Sequence, residues 1–348
     1  MENRMSIPYI QAARGIAVVL VMLFHTSQMS DKYFHINFLG INGMGRSGGY
    51  AYFFVLTGYL MVTIYRKHFG DIRVWGSFMK KRLLRIYPIY WIVTLAVIPV
   101  YFLVPSFGFG YETKLPEIVT SLLLVPYSSA PILGVAWSLS YIMFFYIVFS
   151  LLFVLNKKTM LTLFALWLLI VGLQSLDWIR LKDSVQIRFL FDAMHLEFVL
   201  GMLIAYAVRR LKSGGILWLT AGCLVFPAVW VVRALHPDFA YPNVMYTIGA
   251  TLVLLGIGLL RTAAPAWLKP VQFLGDASYS ILLTSLIFLS ITLKLSRAVH
   301  LDLRIGPMLT TSLSFVVSLA LCCLFYRYIE KPLIHYFKSM TAAKARTA

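Results

Sequence analysis

Acidic residues are scarce in this sequence, 13 Asp and Glu against 31 Lys and Arg, and charges of either sign make up only 13% of its 348 residues. Soluble domains are ordinarily about a quarter charged, so a chain this poor in charge cannot cover a water-facing globule of that size. Cysteine is nearly missing as well. Cys223, Cys322 and Cys323 all fall in apolar stretches and two are adjacent, which excludes a disulfide framework and any readable metal spacing and leaves packing as their role. Low-complexity tracts, repeats with a period of about 20 to 50 residues and loops of domain size are also lacking. The chain is therefore read as one membrane domain over residues 1–338, with a basic cytoplasmic tail at 339–348.

What the sequence has in abundance is hydrocarbon: 60% of its residues are hydrophobic and its mean hydropathy is +0.81. Crossing a bilayer core of ~30 Å takes about 20 apolar residues. About ten runs approach that length, at 10–28, 48–65, 86–104, 134–155, 159–175, 189–207, 215–233, 243–260, 272–293 and 307–326, which predicts an all-α, polytopic membrane protein. The stretch "IVTSLLLVPY" (118–127) is too short to span and reads as re-entrant or interfacial. The first run could pass for a signal peptide, but Arg14 and His25 interrupt it and no small-residue cleavage site follows, so it is expected to be a mature helix.

Orientation follows from the basic residues. Arg66, Lys67, Arg73, Lys80, Lys81, Arg82 and Arg85 share one connection, and Lys157/Lys158, Arg209/Arg210/Lys212 and the tail fall in alternate connections after it. By the positive-inside rule both termini are expected in the cytoplasm. The net charge of +18 is thereby accounted for by orientation, and a nucleic-acid partner is not expected.

Two ionisable residues sit where hydrocarbon is expected. Arg14 and His25 are eleven positions apart, close to three helical turns, so they line one stripe and stand ~16 Å apart along the axis. Such groups usually face a bundle interior or a wet cavity and mark a substrate or proton path. The alternative is an arginine snorkelling to the headgroups and a histidine bonding another helix. A second cluster, "KKRLLRIYPIYW" (80–91), sets Lys81, Arg82 and Arg85 on one face by i, i+3 and i+4 spacing. It reads either as a positive-inside stop with an aromatic belt, the role expected of Lys80, or as a site for phosphate oxygens, which guanidinium groups bind bidentately.

The segments "IQAARGIAVVLVMLFH", "GGYAYFFVLTGYLM" (48–61), "FMKKRLLRIYPIYW" (78–91), "WSLSYIMFFYIVF" (137–149), "HLEFVLGMLIA" (195–205), "FLGDASYSILLT" (273–284) and "YIEKPL" (328–333) occur in this order along nearly the whole chain. Together they resemble the membrane-bound acyltransferase 3 family, in particular its bacterial exopolysaccharide O-acyltransferase branch. The resemblance implies a multi-pass protein of the bacterial inner membrane that passes an acyl group, commonly acetyl from acetyl-CoA, to a hydroxyl of a surface glycan or its lipid-linked precursor. Arg14 and His25 match the family's Arg, ten residues, His signature and are implied to be needed for activity; Arg82 and Arg85 match its basic motif. Four positions depart from the family pattern: Ala51 and Ile142 stand where an acid is usual, Leu282 where a tyrosine is, and Ser285 where a histidine is. A relative that has lost the chemistry and serves as a carrier or assembly component in polysaccharide export would carry such changes.

Under the resemblance, His25 is expected to be the general base, and Arg14 to hold the donor or its developing oxyanion. Lys81, Arg82 and Arg85 are expected to take the donor's phosphates at the end of the cavity that Arg14 lines. Tyr90, Trp137, Ser138, Tyr146, Glu197, Asp276 and Ser278 are expected around the substrates, with Glu197 and Asp276 orienting His25 or pairing an arginine. Ser138, Ser278 and Ser285 are the hydroxyls available should an acyl-enzyme form. Acyl-CoA is the implied co-substrate, with no tightly bound cofactor and no metal. The glycan or lipid-linked sugar and the membrane lipids are the implied partners, and the sequence fixes no oligomeric state.

Overall fold

The computed structural model describes residues 6–44, 48–179, 184–337 and 339; most of the tail set apart above, from 340 on, lies outside them. Among the described residues there is no strand. The α-helices are α1 (Ser6–Phe34), α2 (Gly49–Tyr65), α3 (Arg73–Leu103), α4 (Leu115–Leu122), α5 (Trp137–Val154), α6 (Lys157–Ser175), α7 (Val185–Leu190), α8 (His195–Arg210), α9 (Gly215–Leu235), α10 (Pro242–Leu259), α11 (Lys269–Asp276), α12 (Ser278–Ala298), α13 (Leu301–Ile305) and α14 (Pro307–Phe325). A π-helical turn at Tyr326–Glu330 follows α14. Among the described residues nine helical segments are long and apolar enough to cross a membrane. The remaining expected span is α2, whose 17 residues rise ~26 Å, slightly less than a ~30 Å core. The protein is an all-α, multi-pass membrane protein.

The chain forms two compact units, Met1–Leu56 with Gly201–Ala348, and Thr57–Leu200. In the first unit α1 packs along α11 and α12, α9 lies against α10, and α12 against α14. Close approach of α1 and α11 depends on two glycines. A Cβ on Gly275 would collide with the backbone oxygen of Gln11, and one on Gly15 with that of Val271. Small residues let backbones come this near where water supplies no driving force between helices. The core behind them is formed by Val18, Met22, Ala277, Ile281, Leu289 and Cys322. Hydroxyls tie α12 to α14, Thr292 to Ser318 at 2.9 Å and Ser296 to Ser314 at 3.4 Å. Cys322 accepts from the Thr284 hydroxyl at 3.3 Å and is fully buried, a packing residue.

In the second unit α3 packs against α5 through aromatic side chains, with Phe78 in contact with Tyr65, Tyr146, Phe149 and Phe153. The short stretch expected to be re-entrant or interfacial forms α4 and the turn after it. Its exposed C-terminal carbonyls meet three side chains of the "YPIYW" segment: Tyr90 donates to Ser121 O at 2.7 Å, Trp91 to Leu122 O at 2.9 Å and Tyr87 to Leu123 O at 3.0 Å. The last carbonyls of a helix have no partner within it and need one from elsewhere. Here the aromatic cluster of α3 supplies it, and this is a more specific use than an interfacial belt.

Candidate functional site

In the first unit, the stripe on α1 is held by a polar network (the residues expected from the sequence are joined by two that were not). Arg14 donates through Nη1 to Gln11 Oε1 at 2.7 Å and through Nη2 to Ser278 Oγ at 2.7 Å. Gln11 in turn donates through Nε2 to Asp276 Oδ1 at 2.6 Å. Asp276 and Ser278 flank Ala277, where α11 gives way to α12, so the break between these helices brings a carboxylate and a hydroxyl to α1. The Gly15 and Gly275 approach sets the distance. Asp276 thus reaches Arg14 through Gln11, and the guanidinium is fixed in direction by two bonds of differing geometry.

Three turns along the same stripe, His25 Nδ1 lies 3.2 Å from Gln28 Oε1. An amide oxygen only accepts, so Nδ1 carries the proton in this pairing and Nε2 is left basic. Nε2 has no hydrogen-bond partner among the described residues. Gln11 and Gln28 stand three positions outside Arg14 and His25. That i, i+3 spacing is visible in the sequence, but an amide alone signals no chemistry. Glu330 is the other residue the sequence reading left unassigned. It is fully buried in the π-helical turn, and its Oε2 accepts from the backbone N of Ser280 at 3.1 Å and from Ser280 Oγ at 2.5 Å, capping the first turn of α12. A cavity of about 640 Å³ in this unit lies on another face of α1, against Ala13, Ile16, Ala17 and Leu20.

In the second unit, Arg82 is half-buried, and its guanidinium carbon sits 5.5 Å from the ring centres of Tyr65, Phe78 and Tyr146. Nη2 donates to the Tyr65 hydroxyl at 3.1 Å. Tyr146 therefore forms part of the cage around this arginine. Arg85 is half-buried one turn on, and Lys81 is exposed. Tyr90 is fully buried in its bond to Ser121. The Ser138 hydroxyl donates to Val135 O at 3.0 Å, in the first turn of α5. Trp137, just before it, lines a separate cavity and meets Tyr141 edge-on at 6.0 Å. Glu197 is buried in the first turn of α8, where an acid complements the helix dipole. Of the positions that depart from the family pattern, Ala51 is fully buried and Ser285 is 2% exposed, both packed inside helices of the first unit.

The protein-family model described as "Acyltransferase domain" (Acyl_transf_3) matches residues 7–327. The exopolysaccharide production protein ExoZ of Rhizobium meliloti (strain 1021) is 27% identical over 326 residues, covering 90% of this chain and 94% of the relative. No solved structure matches the chain. With the family match running from the start of α1 to the π-helical turn, through every helix long enough to span, the chain belongs to the acyltransferase 3 family and is a multi-pass membrane acyltransferase.

Proposed function

We propose that the protein is an O-acyltransferase of the bacterial inner membrane that moves an acyl group, acetyl in the first instance, from cytoplasmic acyl-CoA to a hydroxyl of a surface polysaccharide or its lipid-linked precursor. The observation that carries this reading is the polar stripe of α1, where Arg14 is fixed by Gln11 and Ser278 and His25 keeps Nε2 basic beside Gln28. Family membership supports acyl transfer, and the name of the ExoZ relative supports a glycan acceptor.

In this reaction His25 Nε2 takes the proton of the acceptor hydroxyl as its oxygen attacks the thioester carbonyl. Arg14 stabilises the charge that develops on the carbonyl oxygen. The carbon–sulfur bond then breaks, the thiolate leaves as CoA and recovers the proton from His25, and the ester remains on the acceptor. Lys81, Arg82 and Arg85 take the donor's phosphates. Direct transfer is favoured over an acyl-serine route because the hydroxyls of Ser138 and Ser278 are already engaged, with Val135 O and Arg14, and Ser285 is buried inside α12. The test is transfer of label from acetyl-CoA to polymeric or lipid-linked glycan by the purified protein. His25→Ala is expected to lower it by ~10²–10⁴-fold; undiminished transfer would remove His25 as the base.

A second reading, a relative that has lost the chemistry and acts as a carrier or assembly component, is favoured by Ala51 and Ser285, buried and non-ionisable where the family usually keeps an acid and a histidine. Restoring an acid at Ile142 and histidine at Ser285 separates the two. Activity that appears only after restoration supports the carrier.

A further inference from the structure

The second unit contains a cavity of about 510 Å³ that belongs neither to the α1 stripe nor to the Arg82 cage. Its walls are α4 with the segment that follows, the first turns of α5, and α7 with the turn leading to α8. That volume falls in the range of small-molecule sites, ~300–1,000 Å³. Four aromatic residues, Tyr127, Trp137, Tyr141 and Phe189, and three charged ones, Glu117, Arg188 and Asp192, give it its character. Apart from Trp137, none of these was expected at a site.

The cavity is built by a reversal of the chain. Leu124 takes a left-handed conformation, φ 58°, and the turn closes with Val125 N on Thr120 O at 2.9 Å, while Ile132 N donates to Ser121 Oγ at 3.1 Å. Glu117, only 8% exposed, is thereby held inward. Its Oε1 accepts from the hydroxyls of Ser129 at 3.0 Å and Ser128 at 3.3 Å, while Oε2 accepts nothing among the described residues. Across the cavity Asp192 accepts from the Tyr141 hydroxyl at 3.0 Å and from Met194 N at 2.8 Å.

Ionised carboxylates only accept hydrogen bonds, so an occupant must bring donors. A hydrocarbon tail would leave the inward oxygen of Glu117 unsatisfied, which is costly where water is excluded. A phosphate would face two carboxylates against the one guanidinium of Arg188. A neutral, hydroxyl-rich ligand brings donors for the carboxylates and acceptors for Arg188 together, and the flat apolar faces of Trp137 and Tyr127 with their polar edges suit a ring whose face is C–H and whose rim is O–H. Location agrees. The connections that supply the walls, 104–136 and 176–194, hold four basic against five acidic residues, whereas 66–85, at the other end of α3, holds seven against one. The positive-inside rule sets the cavity on the side away from the cytoplasm, where a surface glycan is presented.

We infer that this cavity binds one sugar residue of the acceptor glycan, with Glu117 and Asp192 accepting from its hydroxyls, Arg188 donating to its oxygens, and Trp137 and Tyr127 against its ring. In naming the ligand as acceptor, the inference rests on the proposed acylation of a glycan. The test uses the full-length protein in detergent. The probe is a pool of oligosaccharides released from the surface polysaccharide of the producing cells, de-O-acylated with mild base and labelled with a fluorophore, and binding is read by anisotropy without donor present. Glu117→Gln, which keeps the shape, and Trp137→Leu are each expected to weaken binding by about tenfold or more, the loss of one good charged hydrogen bond or ring contact. Trp137→Tyr should restore part of it, and acyl-CoA affinity should be unchanged throughout. Equal probe affinity in wild type and variants, no binding by wild type, or displacement of the probe by lysophospholipid would each overturn the site. A parallel transfer assay separates the two readings. Site-dependent binding without transfer removes the enzyme reading and leaves the site, whereas transfer with unchanged acceptor KM in both variants removes the site alone.

Discussion

Arg14 in the first unit and Arg82 in the second are both guanidinium groups in apolar helices, yet they are held by different physics. Arg14 is fixed by directional hydrogen bonds to an amide and a hydroxyl, with a carboxylate one step behind. Arg82 is enclosed by three aromatic faces at equal distance and makes a hydrogen bond to Tyr65, while its buried Nε has no hydrogen-bond partner among the described residues. A hydrogen bond to a charged group is worth ~1.5–3 kcal/mol and depends on direction. A cation–π contact is worth ~0.5–2 kcal/mol and depends mainly on charge and distance. The first arrangement aims a donor; the second neutralises a cation while leaving its orientation looser. The difference fits the roles proposed for the two, Arg14 acting on the reacting group and Arg82 holding charge for the donor.

The sharpest break in the comparison comes from exchanging each arginine for lysine. Arg14→Lys keeps the charge but cannot span both Gln11 and Ser278, so acyl transfer should fall by ~10²-fold or more, the cost of losing an aimed donor. Arg82→Lys keeps a cation among its rings but gives up the planar fork proposed for the donor's phosphates, and transfer should fall by about tenfold, less than for Arg14→Lys. Equal losses in steady-state assays would erase the distinction.

Gly275→Ala tests the backbone approach that aims Arg14. The new Cβ would meet Gln11 O, so stability should drop by about 1–3 kcal/mol, seen as a lower midpoint of thermal unfolding in detergent. An unchanged midpoint would show that α1 and α11 yield easily, and that the network does not depend on their contact.

The proposed donor site gives the next effect in size. Arg85→Ala should weaken acyl-CoA binding by about tenfold, with partial recovery in Arg85→Lys because a point charge replaces a bidentate fork. Calorimetry on the three proteins reads it directly, and identical affinities would reduce the basic cluster to an orientation signal. Smallest of all, Tyr146→Leu removes one of three faces around Arg82 and should cost ~0.5–1 kcal/mol in unfolding measurements. A much larger loss would mean that Tyr146 anchors the α3–α5 packing as well.

Hydropathy located the spanning helices but misjudged some ends. The run assigned to 86–104 belongs to a helix that begins at Arg73, because hydropathy reports the hydrocarbon layer whereas a helix continues into water as long as its backbone bonds close. The run at 272–293 is two helices broken at Ala277, and that break positions Asp276 and Ser278. That the stretch at 118–127 does not span was legible from its length alone; its capping by Tyr87, Tyr90 and Trp91 was not, since carbonyl partners leave no trace in side-chain sequence.

From the sequence by itself come the class of the protein, its basic asymmetry and the Arg14–His25 stripe, because lipid imposes an apolar length and the helix imposes a period of 3.6 residues, and both are local rules. Tertiary structure alone decided what each polar group on those helices meets. Arg14 and Ser278 are 264 residues apart in sequence, and the cage of Arg82 is assembled from α2, α3 and α5. Such contacts depend on which faces of distant helices pack together, and no local period encodes that choice.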